Sequence, residues 1–295
     1  MPYQFIGLGE ILWDMFPAGK KLGGAPANFA YHAKAIAQDR VDSFIASSVG
    51  NDPLGKEISA ALYELNINQS YLGIDSRHPT GTVTVELDQH GSPAYSIDQE
   101  VAWDYIPTIP SKLAKSVDAV CFGTLAQRSP VSMNSIMQFL SAVPDSALKI
   151  FDINLRQPYY SRNVINKSLE IANVLKINDE EIAIIAHLLG INGSEEYVLQ
   201  EVVNRYSLKL GILTKGGNGS TLISGDQTSS FPGFEVPVQD SVGAGDAFTA
   251  AIVFGMLQGY DLDHLNACAN KLAAYVCSAA GATPNIPDEI SSLFK

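Results

Sequence analysis

Cysteine and basic residues are scarce in this 295-residue sequence, and each shortage argues against a class of protein. The three cysteines (Cys121, Cys268 and Cys277) include no C-x-x-C pair, and an odd number cannot form a complete internal disulfide framework. We therefore expect a reducing, cytoplasmic location. Lys and Arg number 19 against 31 Asp and Glu, for a net charge of −12. This balance predicts no nucleic-acid partner and no anionic membrane surface, because both require clustered positive charge.

Long apolar runs and metal-binding histidine patterns are also missing. No uninterrupted apolar run approaches the roughly 18 residues of a membrane span. The first residues have no basic segment and reach Glu10 before a signal-peptide core could form, so we expect no secretory signal. The five histidines lack a spacing such as H-x-x-x-H, which favours solvated or internally paired side chains over a metal centre.

What the sequence does have is an alternation of apolar strand patterns and helix patterns. With 46% hydrophobic residues, the chain can bury a large core. Short apolar runs typical of buried parallel strands lie at residues 3–8, 43–49, 117–122, 148–153, 174–177 and 208–213. Helix patterns separate them, for example at residues 27–37 and 130–142. We predict a single α/β domain over residues 1–295, with a mostly parallel central sheet flanked by helices.

A β-hairpin interrupts this rhythm. Residues 80–87 and 94–97 have strand patterns, and Gln89 to Ser92 has the composition of a turn. We predict a small β insertion over approximately residues 71–103, with a contribution from residues 11–22. It could serve as a lid over a ligand, as a subunit interface, or as both. Residues 80–97 contain no Lys or Arg, which favours a neutral ligand beneath them.

The segment from Asp240 to Phe248 (DSVGAGDAF) has the strongest functional pattern in the chain. Small residues and a carboxylate stand where an apolar helix begins, and a helix N-terminus offers unpaired N–H groups to an anion. Gly243, Ala244 and Gly245 could hold a phosphate, while Asp246 could deprotonate an attacking hydroxyl. The structural alternative is an ordinary turn followed by an acid that stabilises the helix dipole.

Other polar residues follow predicted strands, at the edge where open α/β sheets bind ligands. Asp14 follows the first strand, and Asn28 lies in the first turn of the next helix. Arg156 follows the strand at 148–153 and suits a phosphate. The alternatives are an exposed loop acid, a helix cap and a surface arginine, respectively.

Two later strands end in patterns suited to a nucleotide. Asn178 and Glu181 share one face of a first helical turn, where they could hold Mg²⁺ or water near phosphates. Acidic first turns are also common without a metal. The glycines of residues 214–219 (TKGGNG) let a nucleotide approach the backbone, although a plain hairpin explains the same pattern.

Taken together, the motif at residues 23–28 (GGAPAN) and the segment from Asp240 to Phe248 resemble the two signature regions of the ribokinase-like (PfkB) carbohydrate kinases. The motifs at residues 50–55, 152–156, 178–181 and 214–219 fall where that family places them. The sequence of residues 9–14 (GEILWD) is most similar to that of the fructokinase branch. The resemblance covers nearly the whole chain and implies a ribokinase-like α/β fold with a β-hairpin lid.

The resemblance also implies roles for individual residues. The residues implied to bind the sugar are Asp14, Gly24 and Asn28. Asp246 is implied to be the base, Gly243, Ala244 and Gly245 the anion hole, and Arg156 a residue that approaches the phosphates. Those implied to border ATP are Asn178, Thr214, Gly216, Gly219 and, near the adenine, Asn270. Asn178 and Glu181 are implied to organise Mg²⁺ through water.

A monovalent cation often lies beside the anion hole in relatives, and the resemblance makes Asp240, Val242 and the backbone near Gly281 candidates for holding K⁺. Ser241-Val242 departs from the usual Thr-Thr or Thr-Gly at this point, which could alter the cation preference. Lys215 also stands where an apolar residue is more familiar. Because the family commonly dimerises through the lid, the resemblance also implies a homodimer formed through the lid of this protein.

The resulting hypothesis is an ATP-dependent kinase that phosphorylates a primary hydroxyl of a sugar, with D-fructose as the first candidate. Ribose, a nucleoside or a keto-deoxy sugar acid are alternative acceptors. A catalytically silent sugar or nucleotide sensor is an alternative of another class, but such a protein would be expected to lose the base or the anion-hole glycines. This sequence keeps both.

Overall fold

The computed structural model describes residues 1–17, 19–87 and 93–295. The turn expected at Gln89 to Ser92 lies outside the described residues. The strands, in chain order, are β1 Tyr3–Leu8, β2 Leu12–Phe16, β3 Gly19–Gly23, β4 Val41–Gly50, β5 Asn68–Asp75, β6 Thr82–Leu87, β7 Pro93–Ile97, β8 Ala119–Phe122, β9 Leu148–Asp152, β10 Val174–Asn178, β11 Leu210–Thr214, β12 Ser220–Ser224 and β13 Gln227–Phe231.

The larger sheet contains nine strands within the described ranges, in the order β13-β12-β11-β10-β9-β8-β1-β4-β5. The pairs from β5 across to β11 are parallel, whereas β11-β12 and β12-β13 are antiparallel. Strands β8 and β9 are buried at every residue, which explains their nearly continuous apolar sequences. The mostly parallel sheet agrees with the fold class that the sequence predicts.

A smaller sheet, with the order β3-β2-β6-β7, stands apart from the first. Strands β2 and β3 form an antiparallel hairpin, and β2 pairs in parallel with β6. The hairpin of β6 and β7 predicted from the sequence therefore joins a second hairpin that comes from the N-terminal part of the chain. Residues 71–75, which the sequence analysis placed in the insertion, instead belong to β5 at the edge of the larger sheet.

Helices cover both faces of the larger sheet. Their bounds are α1 Ala25–Ala37, α2 Pro53–Glu64, α3 Ser111–Ala114, α4 Pro130–Ala142, α5 Arg162–Ile171, α6 Asp179–Leu189, α7 Glu195–Tyr206, α8 Ala244–Gln258, α9 Leu262–Cys277 and α10 Asp288–Ser291. Helices α1, α8 and α9 share one core with the sheet, through Phe29, Phe248 and Leu272. Helices α4 to α7 pack into a second core. Within the described part of the chain, no helix is both long and apolar enough to cross a membrane.

The parallel topology determines where the functional side chains collect. Strands β1, β9, β10 and β11 point the same way, so their carboxyl ends meet at one edge of the sheet. Asp152, Asn178 and Thr214 are the last residues of β9, β10 and β11. The fold therefore places the polar strand ends identified in the sequence beside one another.

Candidate active site

Asp246 lies in the first turn of α8, deep at this edge of the sheet. Nearly the whole helix after it is buried, because it consists of small and apolar residues. The Asn28 side chain, on α1, donates a hydrogen bond from Nδ2 to Asp246 Oδ2 at 2.8 Å. Two residues that the sequence analysis assigned to base and sugar binding are thus in direct contact, although 218 positions separate them.

The electrostatic surroundings suit Asp246 to proton transfer near neutral pH. Burial and the nearby charge of Asp152 raise its pKa, whereas the Asn28 hydrogen bond and the charges of Lys176 and Arg156 lower it, leaving it at about 6. A carboxyl group with this pKa is mostly ionised at pH 7 and still basic enough to accept a proton. Asp246 can therefore act as a general base.

Close packing within the protein explains why small residues precede Asp246. Gly243 caps the N-terminus of α8 with φ of 82°, a conformation that favours glycine. A Cβ atom at position 243 would lie 2.4 Å from the Ala282 carbonyl oxygen. A Cβ atom at position 245 would lie 3.1 Å from Lys176 Nζ. Together with Ala244, these glycines leave the helix N-terminus free of bulk, as an anion-binding site requires.

Replacing Gly243 with alanine is expected to lower turnover by about a hundredfold, the scale of losing one oxyanion donor, because the clash with Ala282 must displace the start of α8. Gly259 provides a matched control at the other end of the same helix. Its φ is 76°, and a Cβ atom there would meet no atom within 4 Å. Steady-state assays should show Gly259→Ala near the wild-type rate. Equal rates for both variants would show that Gly243 is only a helix cap.

A buried ion pair lies next to Gly245, beneath the turn formed by Gly243, Ala244 and Gly245, which we call the anion-binding turn. Lys176 Nζ is 3.1 Å from Asp152 Oδ1, and both side chains are less than one-tenth exposed. Thr249, on α8, donates to Asp152 Oδ2 at 3.4 Å. Burial lowers the pKa of Lys176, but the charges of Asp152, Glu181 and Asp246 together raise it to about 12. Lys176 thus places a permanent positive charge near Asp246.

The charge of Arg156 acts on Glu10 and Asp14 as well as on Asp246, which places two further carboxyl groups near this site. Burial raises the pKa of Asp14 to about 6 and that of Glu10 to about 7, while the charge of Arg156 lowers both. Glu10 Oε2 is buried and has no hydrogen-bond partner among the described residues. Asn28 Oδ1 is another buried oxygen for which the described part of the chain provides no partner. Such oxygens suit the hydroxyl groups of a sugar, which can donate to them.

The backbone of Gly24 packs closely against that of Glu10. It caps the N-terminus of α1 with φ of 110°, and a Cβ atom there would lie 2.6 Å from the Glu10 carbonyl oxygen. Asp14 lies on β2 in the smaller sheet. The candidate sugar residues Asp14, Gly24 and Asn28 therefore come from the second sheet, the N-terminus of α1 and its first turn.

Asn178 and Glu181 form a capping box at the start of α6. Asn178 Oδ1 accepts from the Glu181 N–H, and Glu181 Oε2 accepts from the Asn178 N–H. Glu181 Oε1 also accepts from the Leu155 N–H at 2.7 Å. The pair therefore has a clear structural role. Among the described residues, no group of three or more His, Cys, Asp or Glu is arranged to hold a metal by itself.

The candidate nucleotide residues lie around the β11-β12 hairpin. Gly216 has φ of 52°, and a Cβ atom there would meet none of the described residues within 4 Å, so this side of the glycine is open. Gly219 is different, because a Cβ atom there would lie 1.9 Å from the Phe231 carbonyl oxygen. Thr214 Oγ1 lies 3.5 Å from the Ile177 carbonyl. Asn270, on α9, donates to Ser220 Oγ at 2.8 Å, which ties α9 to the hairpin.

Lys176 and Glu10 were not predicted as site residues from the sequence. A signal for Lys176 exists in hindsight, since a lysine inside an otherwise apolar strand (VLKIN) is rarely buried unless it is paired. Glu10 gives no such signal, because an acid after a strand is ordinary in a loop.

Comparisons with known proteins identify the family of this chain. Residues 14–289 match the pfkB family of carbohydrate kinases. A fructokinase of Klebsiella pneumoniae is 29% identical over 293 residues, which cover 94% of this chain and 92% of that one. The crystal structure of an uncharacterized sugar kinase of Pyrococcus horikoshii in complex with ATP has a TM-score of 0.81 at 26% identity, covering 96% of this chain and 94% of that one.

A fructokinase double mutant of Vibrio cholerae O395, with fructose, ADP and potassium ion bound, has a TM-score of 0.79 at 23% identity. The alignment covers 100% of this chain and 99% of that one. At this identity the likeness concerns the fold. The structural likenesses confirm the ribokinase-like fold class predicted from the sequence.

Proposed function

The chain belongs to the pfkB family of carbohydrate kinases, and we propose that it transfers the γ-phosphate of MgATP to a primary hydroxyl of D-fructose. The observation that carries the chemistry is the position of Asp246. Its carboxylate is half-buried at the N-terminus of α8 and oriented by Asn28. A base and an anion-binding helix end thus stand within one turn of each other.

In the proposed reaction, Asp246 takes the proton of the acceptor hydroxyl as its oxygen attacks the γ-phosphorus. A new P–O bond forms, the bond between the γ-phosphorus and the bridging oxygen breaks, and ADP leaves with the bond electrons. Backbone N–H groups at residues 243–245 stabilise the charge on the transferring group. Lys176, fixed beneath Gly245 by Asp152, adds positive charge and keeps Asp246 ionised.

The residues at the end of β10 fit a magnesium ion that is held mainly by ATP and water. Both Glu181 oxygens accept backbone N–H groups, so the carboxylate is fixed, and each oxygen keeps a lone pair for a water molecule. Asn178 and Glu181 would therefore orient the hydration shell rather than bind the ion directly. When bound, Mg²⁺ neutralises phosphate charge. Gly216 and Asn270 would border the nucleotide.

Fructose is the favoured acceptor for two reasons. A relative at 29% identity is a fructokinase. The segment from residue 80 to 97 carries no Lys or Arg, so it offers no partner to the carboxylate of a sugar acid. The choice among neutral sugars would then depend on a few hydrogen bonds with Glu10, Asp14 and Asn28.

ADP release by the purified protein, measured with MgATP and a panel of acceptors, tests the proposal. The panel contains fructose, ribose, glucose, adenosine and keto-deoxygluconate. We expect fructose to give the highest kcat/KM. A higher kcat/KM for another acceptor would replace the substrate but retain the chemistry. Release that is equal with and without every acceptor would contradict the kinase assignment.

A further inference from the structure

Asp240 lies in the loop before α8, at the place where relatives often hold a monovalent cation. Its Oδ1 accepts from the Val242 N–H at 3.1 Å, and its Oδ2 accepts from the Gly281 N–H at 3.2 Å. A third donor is a cation from a different part of the fold. Lys21 Nζ, on β3 of the smaller sheet, is 2.9 Å from Asp240 Oδ2. The Asp240 side chain is 18% exposed and that of Lys21 is 51% exposed, so the carboxylate is largely covered while the lysine remains accessible to water.

With Lys21 in place, the surroundings of Asp240 do not fit a potassium ion. Potassium is held by several oxygen atoms that point their lone pairs at it. Here Asp240 Oδ2 accepts from both Lys21 Nζ and the Gly281 N–H, so removing Lys21 would free one of its lone pairs, while Oδ1 accepts from the Val242 N–H. Two nearby carbonyls are also engaged, since Cys277 accepts from the Gln239 and Asp240 N–H groups, and Ala282 accepts from His32 Nε2.

The position of Lys21 is set by the sheet, not by a free side chain alone. In the antiparallel β2-β3 pair, Lys21 is the direct partner of Asp14. Its charge also lowers the pKa of Asp14, a candidate sugar-binding residue. The Lys21–Asp240 pair therefore joins the smaller sheet to the loop that leads into Gly243. The Lys21 ammonium is thus paired with Asp240 and also acts through its charge on Asp14.

We propose that Lys21 supplies, from within the chain, the positive charge at Asp240 that a monovalent cation supplies in relatives, so that this protein works without K⁺. The pKa of Asp240 agrees with a permanently paired carboxylate. Partial burial raises it, but the hydrogen bonds from Lys21, Val242 and Gly281 outweigh burial and lower it. The departure at Val242, where relatives usually have Thr or Gly, falls in the same loop.

Thermal unfolding tests this proposal without a substrate, so its outcome is independent of the proposed kinase function. The midpoint is measured in KCl and in tetramethylammonium chloride at equal ionic strength, because both salts screen charge equally. We expect the wild-type midpoints to agree. Lys21→Met removes the internal cation, and its midpoint should rise by about 2 °C or more in KCl, because a ligand that binds only the folded state stabilises it.

Lys20→Met is the matched control. Lys20 is the adjacent residue on β3 and pairs with Glu57 on α2, away from the anion-binding turn. Its variant should show no specific response to K⁺. A K⁺-dependent rise in the wild type would overturn the proposal. So would a Lys21→Met variant that fails to respond, or a Lys20→Met variant that responds equally.

Activity provides a second readout that does rest on the proposed function. Wild-type turnover should be equal within about twofold in the two salts, whereas Lys21→Met should lose about tenfold in tetramethylammonium chloride and recover in KCl. A wild-type rate that requires K⁺ would contradict the proposal. If no acceptor is phosphorylated at all, the kinase assignment fails, while the unfolding experiment still decides the role of Lys21.

Discussion

Asp246→Asn is expected to yield a folded protein whose turnover is at least about a hundredfold lower, the scale of removing a general base. The amide keeps the size of the side chain, and its carbonyl can still accept from Asn28, so the site should keep its shape. Only the ability to take a proton is lost. The KM for ATP should change little, because the proposed mechanism places Asp246 against the acceptor rather than the nucleotide. Retained turnover would show that Asp246 only stabilises the helix N-terminus.

The same variant should be more stable than the wild type at neutral pH. The folded pKa of about 6 lies above the ordinary 3.8, so burying ionised Asp246 costs folding free energy. The cost is absent below about pH 4 and is complete above about pH 6. Asparagine removes it, which amounts to a gain of up to about 3 kcal/mol at pH 7.5. Chemical unfolding at pH 7.5 and at pH 4 measures the difference, which should shrink at the lower pH. A less stable variant at pH 7.5 would contradict this account of the carboxylate.

Lys176→Met is expected to have the largest effect on stability. It leaves Asp152 buried without its cation, and breaking a buried ion pair from one side costs on the order of 3–5 kcal/mol. It also removes a positive charge that lowers the pKa of Asp246. The acidic limb of the kcat/KM profile should therefore move from about pH 6 to a higher pH. A purely structural lysine would leave that limb in place.

Lys149→Met provides the control for this effect. Lys149 is a buried lysine on the adjacent strand β9, and its Nζ is also 3.1 Å from an aspartate, Asp145. Asp145 is fully exposed, so water can replace the lost partner. Lys149→Met should destabilise the protein less than Lys176→Met and leave the pH profile unchanged. A similar shift of the acidic limb in both variants would show that the shift does not come from the charge near Asp246.

The order of elements was predictable from the sequence because buried parallel strands and apolar helices have distinct patterns. The start of α8 and the polar ends of β9, β10 and β11 followed from the same patterns. The contacts between side chains that are distant in the sequence did not follow from these patterns. Asn28 and Asp246, and likewise Lys21 and Asp240, lie more than 200 residues apart. The order of the strands in the sheets brings each pair together, and no local sequence pattern predicts that order.

The glycines show a second limit of sequence reasoning. The motifs suggested that glycine allows a ligand to approach the backbone. In the structure, Gly24 and Gly219 are required by contacts with Glu10 and Phe231 within the protein itself, and Gly245 makes room for Lys176. Gly216, in contrast, has open space on its face. A glycine in a motif therefore indicates close packing, and only the structure shows whether the neighbour is a ligand or another part of the chain.

The most direct measurement is a ³¹P NMR spectrum of the wild-type protein incubated with MgATP and fructose. If Asp246 directs a sugar hydroxyl onto the γ-phosphorus, the γ-phosphate signal should be replaced by that of a sugar phosphomonoester, in equal amount with ADP. Inorganic phosphate in its place would mean that water is the acceptor, and an unchanged ATP spectrum would mean that fructose is not phosphorylated. Either result would contradict the assignment of this protein as a fructose kinase.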